Sequence, residues 1–344
     1  MARRPYRVEV NYPTRGNAQY YLARDVKVGA LRRKVKVYLG VSPPTAADVE
    51  RYRSERAPEL ELKAAQLRAK LLSASLKARF LTPGRAKALD EVRAFYQGVQ
   101  QLLTGAEIAA YERDFELAYI SGTTRIEGNT LTKREAIDLL EYGIVPKKKR
   151  LREVNEVQNF RKVVAYRNKY RGRVTLEFIR RLHALVMDNI DMESAGQFRR
   201  VDDVSIAGCD LRVAPSVMVE EELAGIIDDY YRTVASRGHP FEAAVLFHYR
   251  FEMIHPFTDG NGRVGREILN FMLSRAEYPR MLFLGEERET YIDALRAGNK
   301  DDLPTLVGAF ADIVLRQRSS LREQLETLAK KGRPTGQLRL IDFD

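Results

Sequence analysis

The sequence predicts a mainly α-helical protein preceded by a small, basic, β-rich module, and three observations predict it. Beyond residue 45, stretches rich in Ala, Leu, Glu, Lys and Arg, all strong helix formers, are separated by short Pro and Gly breaks. Before residue 45, Val35, Val37 and Leu39 alternate with Lys34, Lys36 and Tyr38, the period of a half-buried strand. A content of 44% hydrophobic and 31% charged residues over 344 positions is globular and excludes wholesale disorder and low-complexity classes.

Taken in order, residues 6–10 and 19–24 make two further strands, with Gly16-Asn17 and Gly29 as turn material. Ser42-Pro43-Pro44 closes the module. A helical run follows over 45–82 and is broken by Pro83-Gly84. Helices at 85–103 and 106–121 come next. Thr132 then caps another helix, and Glu135 three residues on completes a capping box. Lys147-Lys148-Lys149-Arg150 reads as a solvated basic loop. Further helices are expected at 155–170, 176–188, 219–236, 240–253, 262–275, 288–297 and 302–326. Between 198 and 215 lies one β-like interruption, where Val204-Ser205-Ile206 and Leu211-Arg212-Val213 flank Gly208-Cys209-Asp210 as a short hairpin. This gives a β-rich module over 1–44, a helical connecting region over 45–104, a core over 105–318 and a C-terminal helix end and tail over 319–344.

The net charge of +11 is unevenly placed: residues 1–40 hold ten basic and two acidic side chains, so most of the excess belongs to the N-terminal module. Such a patch favours acidic partners, nucleic acid among them, although charge also serves as edge protection and for solubility. The single cysteine, Cys209, makes no internal disulfide and no Cys cluster exists for structural zinc. No run of 18 apolar residues and no signal-peptide pattern occurs, so a soluble, cytoplasmic protein with no membrane partner is expected.

One stretch carries chemistry: His255-Pro256-Phe257-Thr258-Asp259-Gly260-Asn261-Gly262-Arg263-Val264-Gly265-Arg266. Pro256 ends the preceding helix at His255. Gly-Asn-Gly tolerates positive φ, so successive N–H groups can converge as an anion nest, and a helix N-terminus follows at once. Arg263 and Arg266, three apart, add fixed positive charge. Asp259 is a hard oxygen ligand suited to magnesium. These parts describe a polyphosphate site with a metal and one base.

The stretch resembles the Fic family motif HPFx(D/E)GNGRxxR and meets every fixed position. The resemblance spans roughly residues 105–318. It implies a Fic-type helical core with a β-hairpin flap and the transfer of AMP from ATP to a Ser, Thr or Tyr hydroxyl of a target protein, releasing pyrophosphate. By that resemblance His255 is the general base and Asp259 holds Mg²⁺. Gly260, Asn261, Gly262 and Arg263 cradle the phosphates, and Arg266 meets the γ-phosphate. The flap residues Val204, Ile206, Arg212 and Val213 dock an extended target segment, and Tyr291 and Asn299 line the nucleobase pocket. Thr123-Thr124-Arg125-Ile126-Glu127-Gly128 resembles the family's inhibitory motif (S/T)xxxE(G/N), in which Thr123 and Glu127 belong to an N-terminal helix that turns Arg266 away from the nucleotide. An autoinhibited protein adenylyltransferase is therefore implied, with ATP, a target protein and a second copy of the chain as partners. Removal of AMP by the same site, and nucleic-acid binding through residues 1–44, are the alternatives.

Overall fold

A computed structural model describes residues 6–202, 213–284 and 287–331. Two compact units interleave along the chain: one takes residues 1–76, 83–111 and 314–344, the other 77–82 and 112–313.

The first unit opens with an antiparallel meander of β1 (Arg7–Asn11), β2 (Gln19–Val28) and β3 (Leu31–Gly40). β2 and β3 join through the two-residue turn Gly29-Ala30, where Gly29 takes φ 57°, a conformation that costs other residues strain. Helices α1 (Ala46–Glu55), α2 (Ala57–Ser75) and α3 (Pro83–Leu102) follow. The run expected over 45–82 divides at Arg56, because Pro58 in the first turn of α2 lacks the N–H that a continuous helix would need. The sheet buries Leu22, Val26, Val35 and Val37 together with Ala57, Leu60 and Ala64 of α2. Beside this core the Glu61 carboxylate accepts from Tyr6 Oη at 2.7 Å and pairs with Arg24. Arg7, Arg32, Lys34 and Lys36 share two carboxylates, Glu9 and Asp25, which order the strand cations but leave the sheet positively charged.

Helix α4 (Gly105–Ile126) begins in the first unit and continues into the second. It runs five residues beyond the expected end, straight through Ser121-Gly122-Thr123-Thr124. Packing overrides the weak propensity there: a Cβ on Gly122 would lie 2.2 Å from the Phe283 carbonyl oxygen, so only glycine admits this approach. The second unit then adds α5 (Lys133–Tyr142), α6 (Leu151–Lys169), α7 (Leu176–Val186), α8 (Val219–Ala235), α9 (Pro240–Ile254), α10 (Asn261–Arg275) and α11 (Arg288–Asn299). Thr132 and Glu135 form the expected capping box on α5 through bonds of 3.1 and 2.8 Å. The expected helix over 302–326 is two, α12 (Leu303–Gln317) and α13 (Leu321–Lys331), parted at Arg318-Ser319-Ser320, where the serines favour a turn.

α10 is the axis of the second unit and packs against α9 and α7. Every residue from Arg263 to Leu273 is buried, including Arg263, Arg266, Glu267 and Asn270. A helix buried all round must pair its charges, and Glu267 accepts from Arg167 of α6 at 2.7 Å. Among the described residues no helix is long and apolar enough to cross a membrane. Of the expected hairpin, Val204, Ile206 and Arg212 lie outside the described residues; Val213 is half-buried and leads into a 3₁₀ turn at Ser216–Met218.

Candidate active site

The site is built where α9 stops. His255 is its C-cap and sits at φ 48°, ψ 61°, a left-handed conformation that costs a non-glycine residue about 1–2 kcal/mol. Pro256 cannot continue the helix, and Phe257 then anchors the loop: it is wholly buried and stacks on His183 of α7 with ring centroids 3.7 Å apart. Asn261 staples the loop, its Oδ1 accepting from Phe257 N–H at 2.9 Å and its Nδ2 donating to Phe257 O at 2.8 Å. Gly260, at φ 78°, is the N-cap from which α10 departs.

His183 braces the same loop from the other side. Its Nδ1 accepts from Gly196 N–H at 2.9 Å, so the proton resides on Nε2, which donates to Asp259 O at 3.0 Å. Burial lowers its pKa to about 4 and keeps it neutral. Arg199 braces His255 itself: Nε donates to His255 O at 2.7 Å and Nη2 to Ile254 O at 3.2 Å, satisfying carbonyls that the end of α9 leaves open.

A cleft of about 230 Å³ opens above these elements. His255, Asp259, Gly260, Asn261, Gly262, Arg266, Glu127 and Tyr291 all line it. Burial pulls the His255 pKa below the usual imidazole value, so the ring is neutral and able to accept a proton at neutral pH. Arg266, 1% exposed, is held on three sides by the end of α4: Nε donates to Thr123 Oγ1 at 2.9 Å, and Nη2 to Thr123 O at 3.0 Å and to Glu127 Oε1 at 2.7 Å. Its charge persists against burial because Glu127 stands beside it. The Glu127 carboxylate lies directly over the start of α10, where a Cβ on Gly262 would meet its Oε1 at 2.3 Å.

Two expected residues are placed elsewhere. Arg263 does not line the cleft; its guanidinium lies 3.1 Å from Asp259 Oδ1 and 3.3 Å from Glu156 Oε1. Asn299 closes α11 and is likewise not among the lining residues, whereas Tyr291 on that helix is. Asp259 pairs with Arg263 and with Arg152 of α6, and these two cations outweigh its burial and lower its pKa.

Sequence reasoning missed His183, Glu252 and Arg288, and placed Gly196-Gln197-Phe198-Arg199 only with the flap. Arg288 opens α11, lines the cleft and donates from Nε to Ile126 O at 3.0 Å. Its position at the first residue of a helix, pointing where no dipole argument would place a cation, was the one available signal. His183 and Arg199 lie more than fifty residues from His255, and only the fold joins them.

A helical domain in which a histidine-led loop opens a buried helix under a cleft is the class of protein this geometry defines. Residues 173–273 match the model of the Fic/DOC family. The chain is 32% identical over 200 residues to protein adenylyltransferase fic-1 of Caenorhabditis briggsae, covering 57% of this chain and 39% of that protein. It is 30% identical over 235 residues to protein adenylyltransferase Fic of Drosophila ananassae, covering 66% and 46%. A solved structure of Fic-1 from Caenorhabditis elegans superposes with a TM-score of 0.62 at 25% identity, covering 82% of this chain and 86% of that one. A Fic-domain protein from Bacteroides thetaiotaomicron superposes at 0.61 with 22% identity, over 72% and 99%. Residues 173–273 thus form a domain of the Fic/DOC family. It spans less than half the length of these curated relatives.

Proposed function

We propose that the protein is an adenylyltransferase that moves AMP from ATP onto a hydroxyl of a target protein, and that Glu127 holds it in a resting state. The observation that carries the reading is that a neutral His255, the opening turn of α10 and the Arg266 guanidinium line one cleft. Backbone N–H groups at the start of α10 and the helix dipole favour the phosphates there. His255 takes the proton from the attacking Ser, Thr or Tyr oxygen, which bonds to the α-phosphorus as the bond to pyrophosphate breaks. The relatives' printed names as protein adenylyltransferases support this chemistry over the removal of AMP.

Among the described residues no group of three His, Cys, Asp or Glu could hold a metal. Asp259 offers one hard carboxylate in the cleft, the residue that would hold a Mg²⁺ ion arriving with the nucleotide. Bound there, the ion would offset charge on the departing pyrophosphate. Its seat requires Arg152 to release Asp259. Resting-state control rests on Glu127, since a γ-phosphate and this carboxylate compete for one guanidinium and cannot both hold it. The nucleic-acid reading rests on charge alone: Arg7, Arg32, Lys34 and Lys36 share only the two carboxylates of Glu9 and Asp25, so the sheet keeps a positive excess.

The test is a peptide-resolved mass map after incubating the Glu127→Gly variant with ATP and a cell lysate. An AMP adduct on Ser, Thr or Tyr, absent when His255→Ala is added, is expected. No adduct on any protein, the enzyme included, would overturn the reading.

A further inference from the structure

Arg266 faces a second carboxyl that the proposed chemistry does not use. Glu252 of α9 lines the same cleft, is 3% exposed, and its Oε1 has no hydrogen-bond partner. The room for it is made by α10: a Cβ on Gly265, the residue before Arg266, would stand 2.4 Å from that oxygen. The nearest basic atom on its own helix is His248 Nδ1 at 3.8 Å, too far for a hydrogen bond and itself unpartnered. His248 is neutral, its pKa lowered to about 3 by burial, and its Nε2 is 3.0 Å from Tyr291 Oη of α11. The charged groups facing Glu252 are therefore Arg266 of α10 and Glu127 after α4, with His248 and Tyr291 uncharged.

An unpaired buried carboxylate is costly, and two carboxylates on one guanidinium leave one charge uncompensated. We propose that Glu252 is the second carboxyl of the Arg266 site, holding a proton while Glu127 is docked on Arg266 and releasing it to water in the cleft when Glu127 leaves. Arg266 then always faces one negative charge, from Glu127, from Glu252 or from a phosphate. The direction of the titration agrees: burial first, against the pull of Arg266 and with the repulsion of Glu127, raises Glu252 to about 8. Taking Glu127 away removes the repulsion that favours the neutral form, so Glu252 ionises at lower pH. Glu252 is thus a positioning residue, acting through Arg266.

Two measurements test this, and the second rests on the triphosphate reading above while the first does not. Thermal midpoints are followed from pH 5 to 9. A carboxyl whose folded pKa is raised contributes stability that is complete below its unfolded value and is lost as pH rises through the folded one. The wild type should lose several degrees relative to Glu252→Gln between pH 6 and 9. In Glu127→Gly the loss should be smaller and should end at lower pH. Parallel curves for wild type and Glu252→Gln, or an unshifted loss in Glu127→Gly, would overturn the proposal. ATP binding is then titrated calorimetrically over the same range. Affinity in Glu127→Gly should fall by up to about tenfold per pH unit once Glu252 is ionised, and stay flat in Glu127→Gly/Glu252→Gln. Equal pH profiles would overturn it. Failure of every variant to bind ATP would sink the nucleotide reading while leaving the thermal result to decide for Glu252.

Discussion

At the residue scale, His255 and Arg266 divide the work. In the proposed reaction His255 serves the proton transfer, while the start of α10 and Arg266 serve the phosphates, so His255→Ala should bind ATP within a few-fold of wild type yet lose about 10²–10⁴ in transfer rate. Calorimetry alongside single-turnover labelling checks both halves; a loss of affinity that matched the loss of rate would place His255 among the binding groups. Burial of the imbalanced kind also sets the pH response. Because His255 is depressed below the usual imidazole value, it stays neutral, and the acid limb of kcat/KM should lie below about pH 6.5. A limb above that value would contradict the assigned environment.

The motif residues were legible because each carries a constraint that survives without the fold. Pro256 stops a helix, Gly260 needs its positive φ, and Glu127 follows Thr123 at helical spacing. Arg263 was read on spacing alone, and spacing did not reveal that Glu156 and Asp259 would engage it away from the cleft. Glu252 gave no signal at all: a Glu on a helix is usually solvated, and only the glycine opposite makes its burial possible.

At the scale of the element, the last turn of α4 is the part to perturb. Two cleft arginines satisfy its terminal carbonyls, Arg266 on Thr123 O and Arg288 on Ile126 O, while Gly122 lies against the Phe283 carbonyl. Gly122→Ala should therefore force the helix end outward, costing about 1–3 kcal/mol as an overpacked contact and loosening Glu127 from Arg266. Denaturant unfolding of the variant, read beside its self-labelling, checks this; unchanged stability would mean that the helix end moves freely. The helix ends that pattern reading misplaced were of this sort. α4 outran its propensity because of packing, whereas the break at Arg56 was written in Pro58 and was legible in principle.

For the whole molecule, the strands and the Fic domain fall in different compact units, and each can be perturbed separately. The sheet covers Ala57, Leu60 and Ala64 of α2, so removing residues 1–44 would uncover an apolar face of that helix. The truncated protein should bind a hydrophobic dye and unfold at a lower temperature than the full chain. An unchanged thermal profile without dye binding would show that α2 does not depend on the sheet. The period-two pattern revealed the strands; their seat on α2 was not legible, since alternation says which face is buried and not against what.

The central claim is that this cleft transfers an adenylyl group and that Glu127 restrains it. The most direct measurement incubates wild type, Glu127→Gly and Glu127→Gly/His255→Ala with ATP carrying radiolabel at either the α- or the γ-phosphate, and counts label retained on protein. The account predicts strong retention from α-labelled ATP with Glu127→Gly, little with wild type, none with the double variant, and none from γ-labelled ATP with any of them. Retention of γ-label, or equal α-labelling by wild type and Glu127→Gly, would contradict it.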